Sequence, residues 1–371
     1  DVSTDEMEID TVELERLPSV LDGPVQRDLP SLPKGWVGQG TISPTLSATG
    51  LGIFTLRQPP FVGRDAICES MWARLCEAVT QRRASVVHLL GSAGSDKSRL
   101  AKELCLRAHE TAGLRWLVAH HGRDAGVGEG LVPMVARHLG ATGLTGKALR
   151  DHLAERFGRS EQMSRATVLS AWLEPEAVAG DKAPKRRFDL LYEFLKAESW
   201  QRGLIVVLED LQWGSDALHF ADFLVAKQAR DPAPILLITT ERAHTTNLSE
   251  ARVRRLMRWR QRSFVDCVEL GALSKTQTSA LVTSVLGLEP GLSAKVVERC
   301  DGHPLFALQM LADWVQRGWL ESTEAGLQLS RHASTKIPDS LHQLWLSKVL
   351  EISESVGDFG AEIITCLGLL G

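Results

Sequence analysis

The chain has 371 residues, of which 44% are apolar and 24% charged, and its net charge is −4. That length predicts two or three domains with ample core, and the balance is that of a soluble globular protein. The mildly acidic total excludes a global attraction to nucleic acid or anionic membrane. No apolar run approaches the ~18 residues needed to span a bilayer, and no secretory signal opens the chain. The cysteines at 68, 76, 105, 267, 300 and 366 show no paired spacing, which suits reduced thiols in a cytoplasmic protein.

Residues 1–15 carry seven acids and no base. The run reads as a solvated tail rather than a docking motif. Residues 16–60 are rich in Pro, Gly and Ser, so 1–57 are expected to be a largely disordered linker. A helix is expected over Ile67–Gln81. Next comes the apolar run Val86–Leu90, bounded by Gly91, which suits a strand buried on both faces. Beyond it, Leu100, Leu104 and Ala108 recur at helical spacing.

Between that strand and helix lie Gly91, Ser92, Ala93, Gly94, Ser95, Asp96, Lys97 and Ser98. The stretch follows the phosphate-loop pattern G-x-x-x-x-G-K-[ST] except that Asp96 stands at the last glycine. Backbone N–H groups of such a loop turn inward, and the helix N-terminus adds partial positive charge. The pattern points to a nucleoside triphosphate, with Lys97 on the outer phosphates and the Ser98 hydroxyl on magnesium; Arg99 borders the loop. Aspartate tolerates the left-handed backbone that glycine supplies, so the loop shape is expected to survive. Its carboxylate, roughly 4 Å from a phosphate oxygen, would cost a few kcal/mol at an effective dielectric near 20. Weakened binding is the first expectation and complete loss the second.

Farther along, Leu114–Ala119 reads as a strand, and helices fill 130–200 except for a polar break near 174–186. The strand Leu204–Leu208 ends in Glu209 and Asp210. Glu209 is expected to hold magnesium through water, and Asp210 to orient or deprotonate an attacking water. A further strand, Ile235–Thr240, runs into Glu241 and Arg242. Arg242 is either a bidentate sensor of the terminal phosphate or a surface arginine. Arg252, Arg254, Arg255, Arg258, Arg260 and Arg262 crowd one segment. They read first as a solvated helix face whose stems cover apolar surface, then as a protein contact, and last as a nucleic-acid contact. Phe264–Leu270 is the fifth expected strand. Residues 274–335 read as all helical, and Ile363–Leu370 forms an apolar run at the chain's end, expected of a fragment of a longer polypeptide. The histidines lack metal spacing, and Asp358–Gly360 spells a kinase magnesium motif by coincidence, because the other kinase signatures are missing.

Alternating strands and helices imply an α/β fold: a parallel sheet wrapped by helices, with the ligand at the strand C-termini. At this point the chain resembles the bacterial signalling ATPases of the STAND/AAA+ group. The resemblance covers about 58–371. It rests on Phe61-Val-Gly-Arg-Asp65, the loop Gly91–Ser98, Val207-Leu-Glu-Asp-Leu-Gln-Trp213, Thr240-Glu-Arg242, Asp301-Gly-His-Pro-Leu-Phe306 and Ile337-Pro-Asp-Ser-Leu341. It implies a P-loop NTPase core at 58–272, a helical lid at 273–335 and the start of a winged-helix domain at 336–371. It also places Val62, Gly63 and Arg64 over an adenine and Pro304 of the lid against the nucleotide. The departures are Asp96, Glu209 and His303, where the family commonly has asparagine. The segment before Phe61 looks like the tails that join serine/threonine kinase domains to such ATPases in large bacterial proteins, myxobacterial ones especially.

The functional expectation is therefore a regulatory switch that binds ATP or ADP with Mg2+, hydrolyses weakly or not at all, and acts on attached domains, possibly a kinase domain and a helical-repeat region, with possible self-association. The alternatives are a non-catalytic scaffold that binds protein partners and, third, a winged-helix nucleic-acid binder. No membrane association is expected.

Overall fold

The computed structural model describes residues 28–36, 59, 61–123, 128–157, 169–174, 184–243, 250–330 and 338–356. Five strands form one parallel sheet: β1 (Ser85–Gly91), β2 (Arg115–Ala119), β3 (Leu204–Leu208), β4 (Ile235–Arg242) and β5 (Val265–Leu270), in the order β2-β3-β4-β1-β5. Strands β1, β3 and β4 are apolar runs rather than alternating ones, as a strand covered on both faces requires. The register sets Gly91 opposite both Arg242 and Leu270. The chain leaves the tip of β1 and crosses β4 and β3 to reach β2 at the far edge. A crevice therefore opens outside the carboxyl end of β1.

Two helical layers cover the sheet. On one face α1 (Asp65–Thr80) and α2 (Lys97–Ala112) bury Trp72, Leu75, Leu100 and Leu104 against Val87, Leu89, Ile205 and Ile238. On the other, α3 (Leu131–Leu139), α4 (Gly146–Phe157), α5 (Pro184–Arg202) and α6 (Ser215–Lys227) bury Met134, Leu153, Leu191 and Phe220 against Val86, Leu117, Val206 and Leu237. Helix α7 (Glu250–Arg260) packs on β5 and contributes the buried Trp259.

A separate helical subdomain follows, made of α8 (Lys275–Val285), α9 (Pro290–Cys300), α10 (Pro304–Gln316) and, farther on, α11 (Leu341–Val356). Its own core contains Val282, Val296, Met310, Trp314 and Leu344. The all-helical expectation for 274–335 is corrected here, because β6 (Leu320–Thr323) and β7 (Gly326–Leu329) form an antiparallel hairpin. The reason is local: alternating residues flank Gly326, whose φ of 129° turns the chain, and Leu327 is pinned by bonds to Gly287 and Glu289. Among the described residues, no helix is long and apolar enough to cross a membrane, and no cluster of three or more His, Cys, Asp or Glu is placed to hold a metal ion. Beyond Val356 the truncated winged-helix reading lies outside the described residues, as does the coincidental motif at 358–360.

Of the expected linker 1–57, residues 28–36 are described and dock on α1; residues 1–27 and 37–57 lie outside the described residues. The Trp72 indole donates to the Pro33 carbonyl at 2.9 Å, and the Trp36 amide donates to Glu69 at 2.8 Å. Trp36 and Trp72 meet edge to face, 5.8 Å between ring centroids. A sparse scatter of apolar residues was enough, because α1 offered them a docking surface.

Candidate functional site: a loop at the tip of β1

The loop between β1 and α2 keeps a tight curl. Gly94 has φ 73° and Asp96, the residue preceding α2, has φ 70°. Asp96 thus adopts the left-handed conformation that glycine would take freely; short polar side chains tolerate it, but it costs a non-glycine residue roughly 1 kcal/mol. Gly91 and Gly94 are glycines for a different reason, close approach. A Cβ on Gly91 would lie 2.5 Å from the Ser95 hydroxyl, and one on Gly94 would lie 2.6 Å from His303 and 2.7 Å from Leu305. The loop is therefore pressed against the helical subdomain.

Lys97 is buried and donates to the carbonyls of Gly91 (3.0 Å) and Ser92 (2.7 Å). Burial holds its amine below the ordinary range; the charge of Asp210 opposes that shift and Arg242 adds to it. The topology thus brings the tips of β1, β3 and β4 to one place. Asp210 sits just past β3 with φ 54°, and its amide donates to the Thr240 hydroxyl at 2.9 Å. Gln212 donates to the Asp210 carboxylate at 2.7 Å and accepts from the Arg242 amide at 3.2 Å. One side chain therefore ties the acid to the strand-end arginine. Arg242 is exposed, and Ala243 donates to the Gly91 carbonyl at 3.1 Å.

Glu209 is placed differently. Its carboxylate accepts from the His120 ring at 2.7 Å, and its carbonyl accepts from His121 at 2.7 Å. Asp210, not Glu209, is the acid whose charge acts on Lys97. Ser98, the expected magnesium ligand, is exposed at the start of α2, as are Ser92 and Ala93 earlier in the loop.

Asp96 lies among two arginines and a histidine. Burial raises its carboxyl above the usual range, while Arg99, Arg64 and His303 pull it back down. Arg64 feels the reciprocal effect: burial lowers it and Asp96 opposes the shift. Arg64 donates to the Gly271 carbonyl at 2.6 Å. Arg99 donates to the Pro59 carbonyl and lies 5.5 Å over the Phe61 ring. The neighbours of Arg64 also reach across: Val62 packs on the subdomain core, and Gly63 touches the Gln277 side chain closely enough that a Cβ would sit 3.1 Å from it.

From the subdomain, His303 caps α10. Its Nδ1 accepts from the Phe306 amide at 3.2 Å, which leaves Nε2–H to donate to the Ala93 carbonyl at 2.9 Å. Pro304, buried, opens α10. Between the two parts lies a cavity of about 240 Å³ lined by Gly91, Ser92, Ser95, Leu270, Gly302 and Pro304, among others.

One polar atom of this lining bears on whether a phosphate fits: the Ser95 hydroxyl is buried without a hydrogen-bond partner. An unpaired buried donor is costly, and a phosphate oxygen is an acceptor that would satisfy it. The residues present thus fit a polyphosphate, with the carboxylate of Asp96 as the opposing feature. Sequence reasoning named most of this set but assigned no role to Thr240, Gln212, His120 or the contact from His303. Gln212 and His303 stood inside recognised motifs, and only the folded register showed what they touch.

Residues 60–238, just under half of the chain, match the family model described as the AAA ATPase domain, and the parallel five-stranded sheet with helices on both faces is the α/β fold expected of a P-loop NTPase. No curated protein matches in sequence. Among solved structures, the chain is similar to the Aeropyrum pernix Orc1 protein in complex with DNA (13% identity, TM-score 0.41, 80% of this chain and 67% of that one). It is also similar to Drosophila ORC bound to DNA (12%, 0.42, 92% and 76%) and to Thermotoga maritima RuvB (12%, 0.37, 75% and 97%).

Proposed function

We propose that this AAA+ module is a nucleotide-dependent regulatory element that binds ATP or ADP with Mg2+ between the sheet tips and a helical lid formed by α8–α10. The observation that supports it most is the convergence of Lys97, Asp210 and Arg242 on one curled loop that the lid residues His303 and Pro304 also touch. In this reading the loop amides from Ser92 to Ser98 and the Lys97 amine hold the phosphates. Arg242 meets the outermost phosphate, and Val62, Gly63, Arg64 and Pro304 enclose the base. Ser98 and an acid at the β3 tip would hold magnesium, which when bound neutralises phosphate charge.

The same geometry argues for slow chemistry. Asp96 brings a negative charge to the phosphate side, and Glu209 is engaged by His120. That leaves Asp210, already bonded to Gln212, as the acid available to a water. Nucleotide state would act by changing how the lid docks on the loop, and so how attached domains behave. Those partners are proposed to be domains of the same polypeptide, in a bacterial cytoplasmic signalling protein of the STAND type with an associated kinase.

A second reading, a scaffold that no longer uses the nucleotide, is favoured by one specific feature, the carboxylate of Asp96 among Arg64, Arg99 and His303. A fluorescent ATP analogue titrated with magnesium against wild type, Asp96→Gly and Lys97→Ala separates the two. Micromolar binding by wild type that Lys97→Ala abolishes supports the switch. Binding that appears only in Asp96→Gly supports the scaffold. Relief of the repulsion is expected to tighten binding by roughly one to three decades. Absence of binding in both wild type and Asp96→Gly overturns the site itself.

A further inference from the structure

A second cavity lies on the face of the sheet away from α1 and α2, between α3, α5, α6 and α7, with a volume of about 760 Å³ against about 240 Å³ beside the loop. We propose that it is a second binding site, for a small organic anion with a flat apolar body. The proposal does not depend on the nucleotide reading.

The volume falls within the roughly 300–1,000 Å³ of ordinary small-molecule sites, which are mostly apolar with a few convergent polar groups. Leu131, Trp172, Phe188, Phe223 and Trp259 supply the apolar lining. Trp172 and Trp259 are buried, so they form a wall rather than a solvated fringe. The Phe188 and Phe223 rings lie 5.9 Å apart and are held by Phe220, on which Phe223 is stacked, so they present a fixed aromatic surface to the cavity.

The polar groups set the sign of the ligand. Arg187, Arg258 and Arg262 line the same cavity. Two acids also line it: Asp222 accepts from the Arg255 guanidinium and, at 2.8 Å, from the Trp259 indole. Asp216 accepts from the Ala217 amide at 2.7 Å. The lining thus carries three arginines against two aspartates, one of which is paired with Arg255 outside it. A purely apolar molecule would make no use of Arg258 and Arg262, and inorganic phosphate would make none of the rings. A carboxylate or sulfonate on an aromatic frame uses both, through bidentate hydrogen bonds and apolar contact. This also gives a role to arginines of the crowded segment, two of which carry exposed side chains that reach the cavity from α7 and the turn after it.

Anilinonaphthalene sulfonate is a suitable probe, because it joins a fused aromatic body to one anion and reports its surroundings by fluorescence. Wild type is expected to bind it saturably at one site. The double variant Arg258→Glu/Arg262→Glu is expected to weaken binding at least roughly tenfold, about 1.4 kcal/mol. Ala226→Trp, which fills the cavity from α6, is expected to abolish it. The neutral anilinonaphthalene is expected to bind at least roughly tenfold more weakly than the sulfonate. Leu350→Lys, on the exposed apolar face of α11, is expected to leave binding unchanged. Equal affinity in the arginine double variant, equal affinity for the neutral analogue, or loss of binding in Leu350→Lys would each overturn the proposal. Both arginines are exposed, so the double variant keeps the test valid even where Ala226→Trp disturbs folding; circular dichroism checks this.

Discussion

His303 of α10 and Ala93 of the loop are joined by a 2.9 Å hydrogen bond, and the same imidazole caps its own helix through Phe306. One ring therefore fixes the start of α10 and holds it to the loop. His303→Ala removes both bonds. Loss of a side-chain cap costs about 1 kcal/mol, so the urea midpoint of the subdomain is expected to fall accordingly. Nucleotide off-rates, measured by stopped flow with a fluorescent analogue, are expected to rise several-fold. Unchanged stability and off-rate would mean that the bond holds nothing together.

Thr240 positions the acid. Its hydroxyl accepts from the Asp210 amide at 2.9 Å, and its carbonyl accepts from the Leu211 amide at 3.0 Å. Thr240→Val keeps the shape and deletes the acceptor, leaving a partly buried N–H unpaired at a cost of about 1–3 kcal/mol. Chemical denaturation should show that loss, and any steady-state phosphate release should fall with it. Thr240→Ser, which restores the oxygen, should recover most of both.

Glu198 of α5 is bonded to Arg115 of β2 at 2.7 Å and to His138 of α3 at 3.1 Å. Burial alone would raise its carboxyl, but these partners outweigh burial and leave it below the usual range. A folded-state value below the unfolded one gives stability that is present above pH 4.5, the ordinary value, and is lost as pH falls through the depressed value. Glu198→Gln is expected to cost about 2 kcal/mol at neutral pH. In acid the gap between wild type and variant should close. A gap that widens on acidification would contradict the sign.

Trp72 anchors residues 28–36 through the Pro33 carbonyl. Trp72→Phe removes that donor and part of a side chain that is 1% exposed, which is expected to cost about 2–3 kcal/mol. Limited proteolysis should then cut within 28–36 under conditions where wild type resists.

The sequence by itself determined the sheet and the loop. Val86–Leu90, Leu204–Leu208 and Ile235–Thr240 are apolar without alternation, which physically demands cover on both faces and hence a parallel α/β arrangement. Gly91, Gly94, Lys97 and Ser98 marked the crevice because backbone curvature and helix polarity are local properties. Local chemistry also indicated that Asp96 could keep the curl, and its φ of 70° agrees.

Only the tertiary structure decided which charges meet. Glu209 and Asp210 are adjacent in sequence, yet one faces His120 and the other acts on Lys97. That depends on where β2 and β4 lie beside β3, which no local pattern encodes. The contact of His303 with Ala93, the docking of residues 28–36 on α1 and the aromatic cavity behind the sheet arise the same way. Each joins segments far apart in the chain, and long-range packing, not residue type or spacing, brings such segments within van der Waals reach.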